Sequence, residues 1–141
     1  LPFTHGAQIY NMWVKAWNED ISVLEEITSS DCVVHQARMD GKSSNERKGP
    51  AALNGIIAEG CKFFDHVNMA IEVGPIVDGP YVSARWIFTG FYIGGIEGAQ
   101  ADIGEKMSFN GMDIFFVKDG KIMDYWVSSD GIYLMEQLRM F

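Results

Sequence analysis

Asp130 stands where a run of strand-forming residues hands over to a helix pattern. Gly120-Lys121-Ile122-Met123-Asp124-Tyr125-Trp126-Val127-Ser128-Ser129 reads as a last strand leaving a tight turn, and a short helix follows from Gly131 to about Met140. A carboxylate at such a junction, with Trp126 close in sequence, can sit at the mouth of an apolar pocket. Desolvation there raises its pKa and makes it a better general base. Ser129-Asp130-Gly131 is also good helix-start chemistry, so Asp130 has a second reading as an N-cap. Asp113 lies in mid-strand among aromatics. A carboxylate there is costly unless paired, so it is either a second pocket acid or half of an ion pair, with Arg85 as the obvious partner. Tyr10, Trp13 and Trp17 either wall a cavity or fill a core.

The elements that position these groups follow from hydrophobic period. Ile9, Met12, Trp13, Ala16 and Trp17 mark one face of a first helix, with Thr4 as its cap. Asp20 caps a second, short helix. Cys32-Val33-Val34-His35 is a short strand by its β-branched content. Residues 36–48 read as a polar surface loop, and Gly49-Pro50 opens a third helix that Gly55 and Gly60 weaken. From Val67 the period is two. Strands run over Val67, Met69, Ile71 and Val73, then Tyr81 to Gly90, then Lys106 to Lys118, with Asp78-Gly79 and Asp119-Gly120 as hairpin turns and a bulge or kink at Gly74-Pro75. Five of the 15 glycines fall in residues 90–105, a long connection suited to a lid or rim.

Helices first, then a meander of long strands, then a short closing helix make an α+β chain of one domain, 1–141. The sheet is too long to lie flat on three short helices. It is expected to be a curved antiparallel sheet wrapped around the N-terminal helices, forming a conical cavity. The 106–118 strand is apolar on both faces, which predicts a homodimer through the outer sheet face.

Composition narrows the rest. At 48% hydrophobic and 21% charged over 141 residues, the chain can build a sizeable core. A net charge of −8 without a basic cluster argues against nucleic acid as a partner. No apolar run approaches a membrane span, and no secretory signal pattern is present, although opening on Leu1 leaves room for a removed leader. Cys32 and Cys61 form no metal or redox motif and read as two reduced thiols, which fits a cytoplasmic protein. His5, His35 and His66 lack ligand spacing, and there is no dinucleotide or phosphate-loop motif, so neither metal nor cofactor is expected.

Several segments together resemble the SnoaL-like polyketide cyclases, within the superfamily that also holds ketosteroid isomerase, scytalone dehydratase, limonene epoxide hydrolase and nuclear transport factor two. They are Asp31-Cys32-Val33-Val34-His35, Gly49-Pro50-Ala51-Ala52-Leu53, Phe64-Asp65, Ala84-Arg85-Trp86 with Thr89-Gly90, Asp119-Gly120-Lys121-Ile122, and Trp126 up to Asp130. The family's glycine-threonine-histidine is here Gly90-Phe91-Tyr92. The resemblance implies a conical fold and a cofactor-free cyclase or isomerase acting on an apolar, carbonyl-bearing small molecule. It implies Asp130 as general acid/base; the developing enolate then needs donors aimed at its oxygen, and His35 and Tyr92 are the ones expected here. Trp126, Trp17, Trp13, Tyr10, Asp113 and Arg85 are the expected substrate-contacting set. A carrier of an apolar ligand without chemistry is one alternative. Epoxide hydrolysis or dehydration, which needs two converging carboxylates, is the other.

Overall fold

The computed structural model describes residues 6–36 and 47–141; Thr4 and residues 37–46 of the expected polar loop lie outside them. Helix α1 covers Gly6–Asn18, and Ile9, Tyr10, Trp13 and Ala16 are buried along its apolar face. It ends on a clamp. The Asn18 carboxamide donates to the Met69 carbonyl and accepts from the Met69 N–H, each at 2.7 Å. Asp20 caps a 3-10 turn, Ile21–Val23, by accepting from the Ser22 N–H at 3.0 Å. Helix α2 (Leu24–Ile27) leads into strand β1, Thr28–His35, which starts earlier than its β-branched residues indicate. Helix α3 (Pro50–Cys61) has Pro50 in its first turn.

Strands β2 (Phe64–Asp78), β3 (Tyr81–Tyr92), β4 (Lys106–Lys118) and β5 (Lys121–Ser129) form the expected antiparallel meander, and helix α4 (Gly131–Gln137) closes the chain. The sheet order is β1-β5-β4-β3-β2, with β1 parallel to β5. The closing strand is therefore interior to the sheet. Its turn, Asp119-Gly120, has φ of +54° and +74°, the twist a two-residue hairpin requires.

Register shifts bend the sheet into an open cone. β2 carries three, between Asp65 and Asn68, Ile71 and Val73, and Val73 and Ile76, the last spanning the cis Gly74–Pro75 bond. A fourth lies between β4 and β5, where Val117 pairs with Ile122 but Phe116 pairs with Asp124. α1 lies in the concave face. Two clusters fill the interior: one around Tyr10, Trp13, Leu53, Phe115 and Tyr125, the other around Phe64, Trp86, Phe88, Tyr92 and Met107, on the side of α4.

Two of the closely approached glycines make room for tryptophan rings. A Cβ on Gly111 would fall 2.0 Å from the Trp86 ring, its cross-strand neighbour, and one on Gly60 would fall 2.5 Å from the Trp17 ring. Cys32 is buried and Cys61 partly buried, both as free thiols. Burial, with the charge of Asp124 adding to it, pushes the Cys32 thiol up to about 12, which makes it a poor nucleophile. Among the described residues no helix is long and apolar enough to cross a membrane.

The glycines of α3 give a paired prediction. At position 55 a Cβ would meet only the mobile tip of Arg47, at 3.0 Å. Gly55→Ala should stabilise by up to about 1 kcal/mol through helix propensity. Gly60→Ala should destabilise by about 1–3 kcal/mol through overpacking on Trp17. Urea unfolding followed by circular dichroism reads both. Equal shifts in the same direction would mean that Gly60 is not a packing site.

Candidate functional site

The period-two pattern of β4 sets Met107, Phe109, Gly111, Asp113 and Phe115 toward the interior and Met112 and Ile114 outward. Asp113 is thereby carried to the middle of the molecule, 1% exposed. Tyr10 and Trp13, one helical turn apart on α1, reach it from above. Tyr125 reaches it diagonally across the sheet, since Phe115 pairs with Tyr125 and Asp113 with Val127. The Tyr10 hydroxyl donates to Asp113 Oδ2 at 2.7 Å, the Trp13 indole N–H to the same oxygen at 3.3 Å, and the Tyr125 hydroxyl to Oδ1 at 2.7 Å.

All three partners are neutral. Hydrogen bonds to the ionised form pull the carboxyl down, but burial outweighs them and pushes Asp113 up to about 6. The same burial, reinforced by the charge of Asp113, raises both tyrosine hydroxyls far above their usual range, so they serve as donors only. The row Ala84–Asp113–Val127 lies between the row Trp86–Gly111–Ser129 and the row Val82–Phe115–Tyr125. Asp113 thus sits where the two apolar clusters meet.

The cluster around Phe88 is closed from outside by the α4 segment and the 93–105 connection. Leu134 comes from α4, Leu138 and Met140 from the residues that follow it, and Ile96, Ala99 and Ala101 from the connection. Gln100 and Ala101 N–H groups both donate to the Leu138 carbonyl, at 2.8 and 3.1 Å, and Arg139 pairs with Glu105. Gln137 ties the helix to β4 by exchanging hydrogen bonds with the Ser108 backbone at 2.7 and 3.1 Å. Two open surface depressions, of about 200 and 370 Å³, border Gln8, Met12 and Gly120 and Thr28, Ser30 and Lys121 respectively; no candidate residue lines either.

The structure brings together Tyr10, Trp13 and Asp113, with Trp17 packed beside them, and separates the others. Asp130 is exposed at the rim, and its Oδ1 accepts from the Tyr133 N–H at 3.1 Å as the cap of α4. Trp126 does not wall it. It points out of the opposite face of the sheet, 38% exposed, and stacks on His35 at 4.9 Å. His35 is on that outer face too, its Nε2 3.0 Å from Asp124 Oδ1. The expected pairing of Arg85 with Asp113 is corrected. Arg85 alternates outward from Ala84 and donates to Glu72 at 3.0 Å. Tyr92 is buried under the rim, and its phenol oxygen accepts from the Ile96 N–H at 3.1 Å.

Tyr125 belongs to the site and is the residue that counting along the sequence misses. From Lys118 opposite Lys121, an unbroken ladder would set Trp126 opposite Asp113. The extra residue at Met123 moves every later residue of β5 to the other face. Among the described residues no group of three or more His, Cys, Asp or Glu side chains could hold a metal ion.

Asp113 makes stability depend on pH in a definite sense. Its folded pKa of about 6 lies above the ordinary 3.8, so between these values the native state holds a proton that the unfolded chain has released. Stability from this group is complete below about pH 4 and is lost as pH rises through 6, by roughly 3 kcal/mol for a shift of about two units. Asp113→Asn should flatten that slope in unfolding curves taken from pH 4 to 7. A slope unchanged in the variant would assign it to another group.

The family model of the SnoaL-like polyketide cyclases matches residues 7–138. No curated protein matches the sequence. Among solved structures the chain resembles IdmH, a proposed polyketide cyclase of Streptomyces antibioticus, at TM-score 0.81 and 20% identity over 95% of this chain and 98% of that one. AclR, a proposed hydroxylase of Streptomyces galilaeus, aligns at TM-score 0.79 and 21% identity over 99% and 98%. A proposed polyketide cyclase of Bacillus cereus aligns at TM-score 0.73 and 25% identity over 97% and 80%. With its open cone of five strands wrapped on N-terminal helices, the chain belongs to the SnoaL-like polyketide cyclase family.

Proposed function

We propose that the protein is a cofactor-independent acid–base catalyst of the cyclase or isomerase type, acting on an apolar, carbonyl-bearing small molecule held on the α4 side of the cone. One observation carries this reading: Asp113 is a carboxylate buried among aromatics and held by three neutral donors, a setting in which burial pushes its pKa up toward neutral pH. Its three donors hold it in one orientation. Ionised, it takes a proton from carbon next to the carbonyl; protonated, it returns one. Asp130, the acid that the family likeness favours, lies at the rim and competes for the same role. The dehydratase or epoxide hydrolase alternative has less support, because Asp113 is the one buried carboxylate among the described residues. A carrier without chemistry draws on a different observation: Asp130 is engaged as a helix cap.

Deuterium uptake next to the carbonyl of 2-tetralone in D₂O, followed by NMR, tests the reading. The protein should accelerate exchange, with a rate that rises as pH passes about 6 and the base ionises. Asp113→Asn should remove the acceleration and Asp130→Asn should keep it. The reverse pattern moves the base to the rim, and no acceleration by the unaltered protein leaves the carrier reading.

We further propose that the protein works as a homodimer through the outer sheet face, in a reducing cytoplasmic setting that suits its two free thiols. Met112, Ile114, Trp126, Ile76 and Tyr81 are exposed large apolar residues on three strands and the β2 bulge. Ile114→Asp should convert a dimer to a monomer in sedimentation velocity at micromolar concentration. A monomeric unaltered protein would contradict this.

A further inference from the structure

Two tryptophans one helical turn apart on α1 are treated differently by the fold. The Trp13 indole N–H donates to Asp113. The Trp17 indole N–H is buried and has no hydrogen-bond partner among the described residues. A buried tryptophan ordinarily finds an acceptor, and leaving a donor unmet costs about 1–3 kcal/mol.

The site is built to hold that ring. Asn18, the next residue, clamps the end of α1 to the Met69 backbone. Gly60 of α3 makes room for the six-membered ring, with 2.5 Å between it and the place a Cβ would occupy. Trp17 stands edge-on to Trp13 at 6.0 Å and to Phe88 at 6.3 Å, and packs against both apolar clusters. An unmet donor is thus fixed among the packed rings where the two apolar clusters meet, the boundary on which Asp113 also lies.

We propose that the Trp17 indole N–H is the anchor for the ligand's carbonyl oxygen. This inference rests on the acid–base reading above and adds to it a donor with no partner among the described residues. His35 is on the outer face beside Asp124, and the Tyr92 hydroxyl, which accepts from the Ile96 N–H, is tied to the loop only through its oxygen lone pair and keeps its own proton. An indole N–H donates and cannot accept, so it selects a carbonyl or phenolate oxygen over a bare hydrocarbon edge. In the reaction, the C–H bond next to the carbonyl breaks and its proton passes to the Asp113 carboxylate. The electron pair moves into the enolate, whose oxygen charge meets the Trp17 donor, and the proton returns to carbon in the reverse step. The anchor thereby recognises the ligand and stabilises charge as it develops.

The test compares 2-tetralone with tetralin, which lacks only the carbonyl. In ¹H–¹⁵N spectra of the protein's four indoles, the Trp17 signal, assigned by its loss in Trp17→Phe, should move downfield with 2-tetralone and not with tetralin. The preference for ketone over hydrocarbon should fall on the order of tenfold in Trp17→Phe. If that variant fails to fold, replacing the indole by benzothiophene, with sulfur in place of N–H, should give the same loss. An unmoved Trp17 signal with bound ketone, an unchanged preference, or no binding of either compound overturns the anchor. The two readings fail separately. Exchange that depends on Asp113 while Trp17 stays unmoved removes the anchor alone. A shifted Trp17 without exchange removes the catalysis alone.

Discussion

Asp113 is a carboxylate taken out of water, and the groups that meet it among the described residues are all neutral. Burying an isolated carboxylate is prohibitive, and a buried ion pair would lower its pKa and leave it inert as a base near neutral pH. Three neutral donors do something intermediate. They satisfy its oxygens, so the group is tolerated inside, yet they do not cancel the desolvation that raises its pKa to about 6. Much of the surrounding architecture serves this compromise. Tyr10 and Trp13 must share a helix face, β4 must turn Asp113 inward, and β5 must present Tyr125 on the same side.

That last requirement explains why the sheet is irregular where it is. The register shift at Met123 lets Tyr125 and Val127, rather than Trp126, face the interior. Trp126 then joins Ile114 on the outer face, where it stacks on His35. The shifts in β2 curl the sheet around α1 and bring the Met69 backbone to Asn18, which fixes the end of the helix that carries both tryptophans. One set of bulges therefore shapes the cone, chooses the face of each aromatic and positions the site.

The α+β order, the meander, the turns and the apolar face of α1 were legible because each rests on a local period or a turn residue. Asp113 was legible as costly, since a mid-strand carboxylate among aromatics demands an explanation. Its partners were not. Arg85 looked suitable by charge, but alternation along β3 sends it outward, and the true donors come from a helix about 100 residues away and from across a bulge. The parallel pairing of β1 with β5 was hidden for the same reason: it joins segments distant in sequence. Asp130 illustrates a further limit. Ser129-Asp130-Gly131 supports a cap and a catalytic acid equally, and only the exposure and the bond to the Tyr133 N–H show the capping geometry.

The most direct test is to titrate Asp113 itself, by following its side-chain carboxyl carbon in ¹³C NMR from pH 3 to 8. The account predicts a midpoint near 6, assigned by the signal's disappearance in Asp113→Asn. A midpoint at or below the ordinary value of about 4 would mean that the donors outweigh burial, and Asp113 would then be a structural anion rather than a proton carrier.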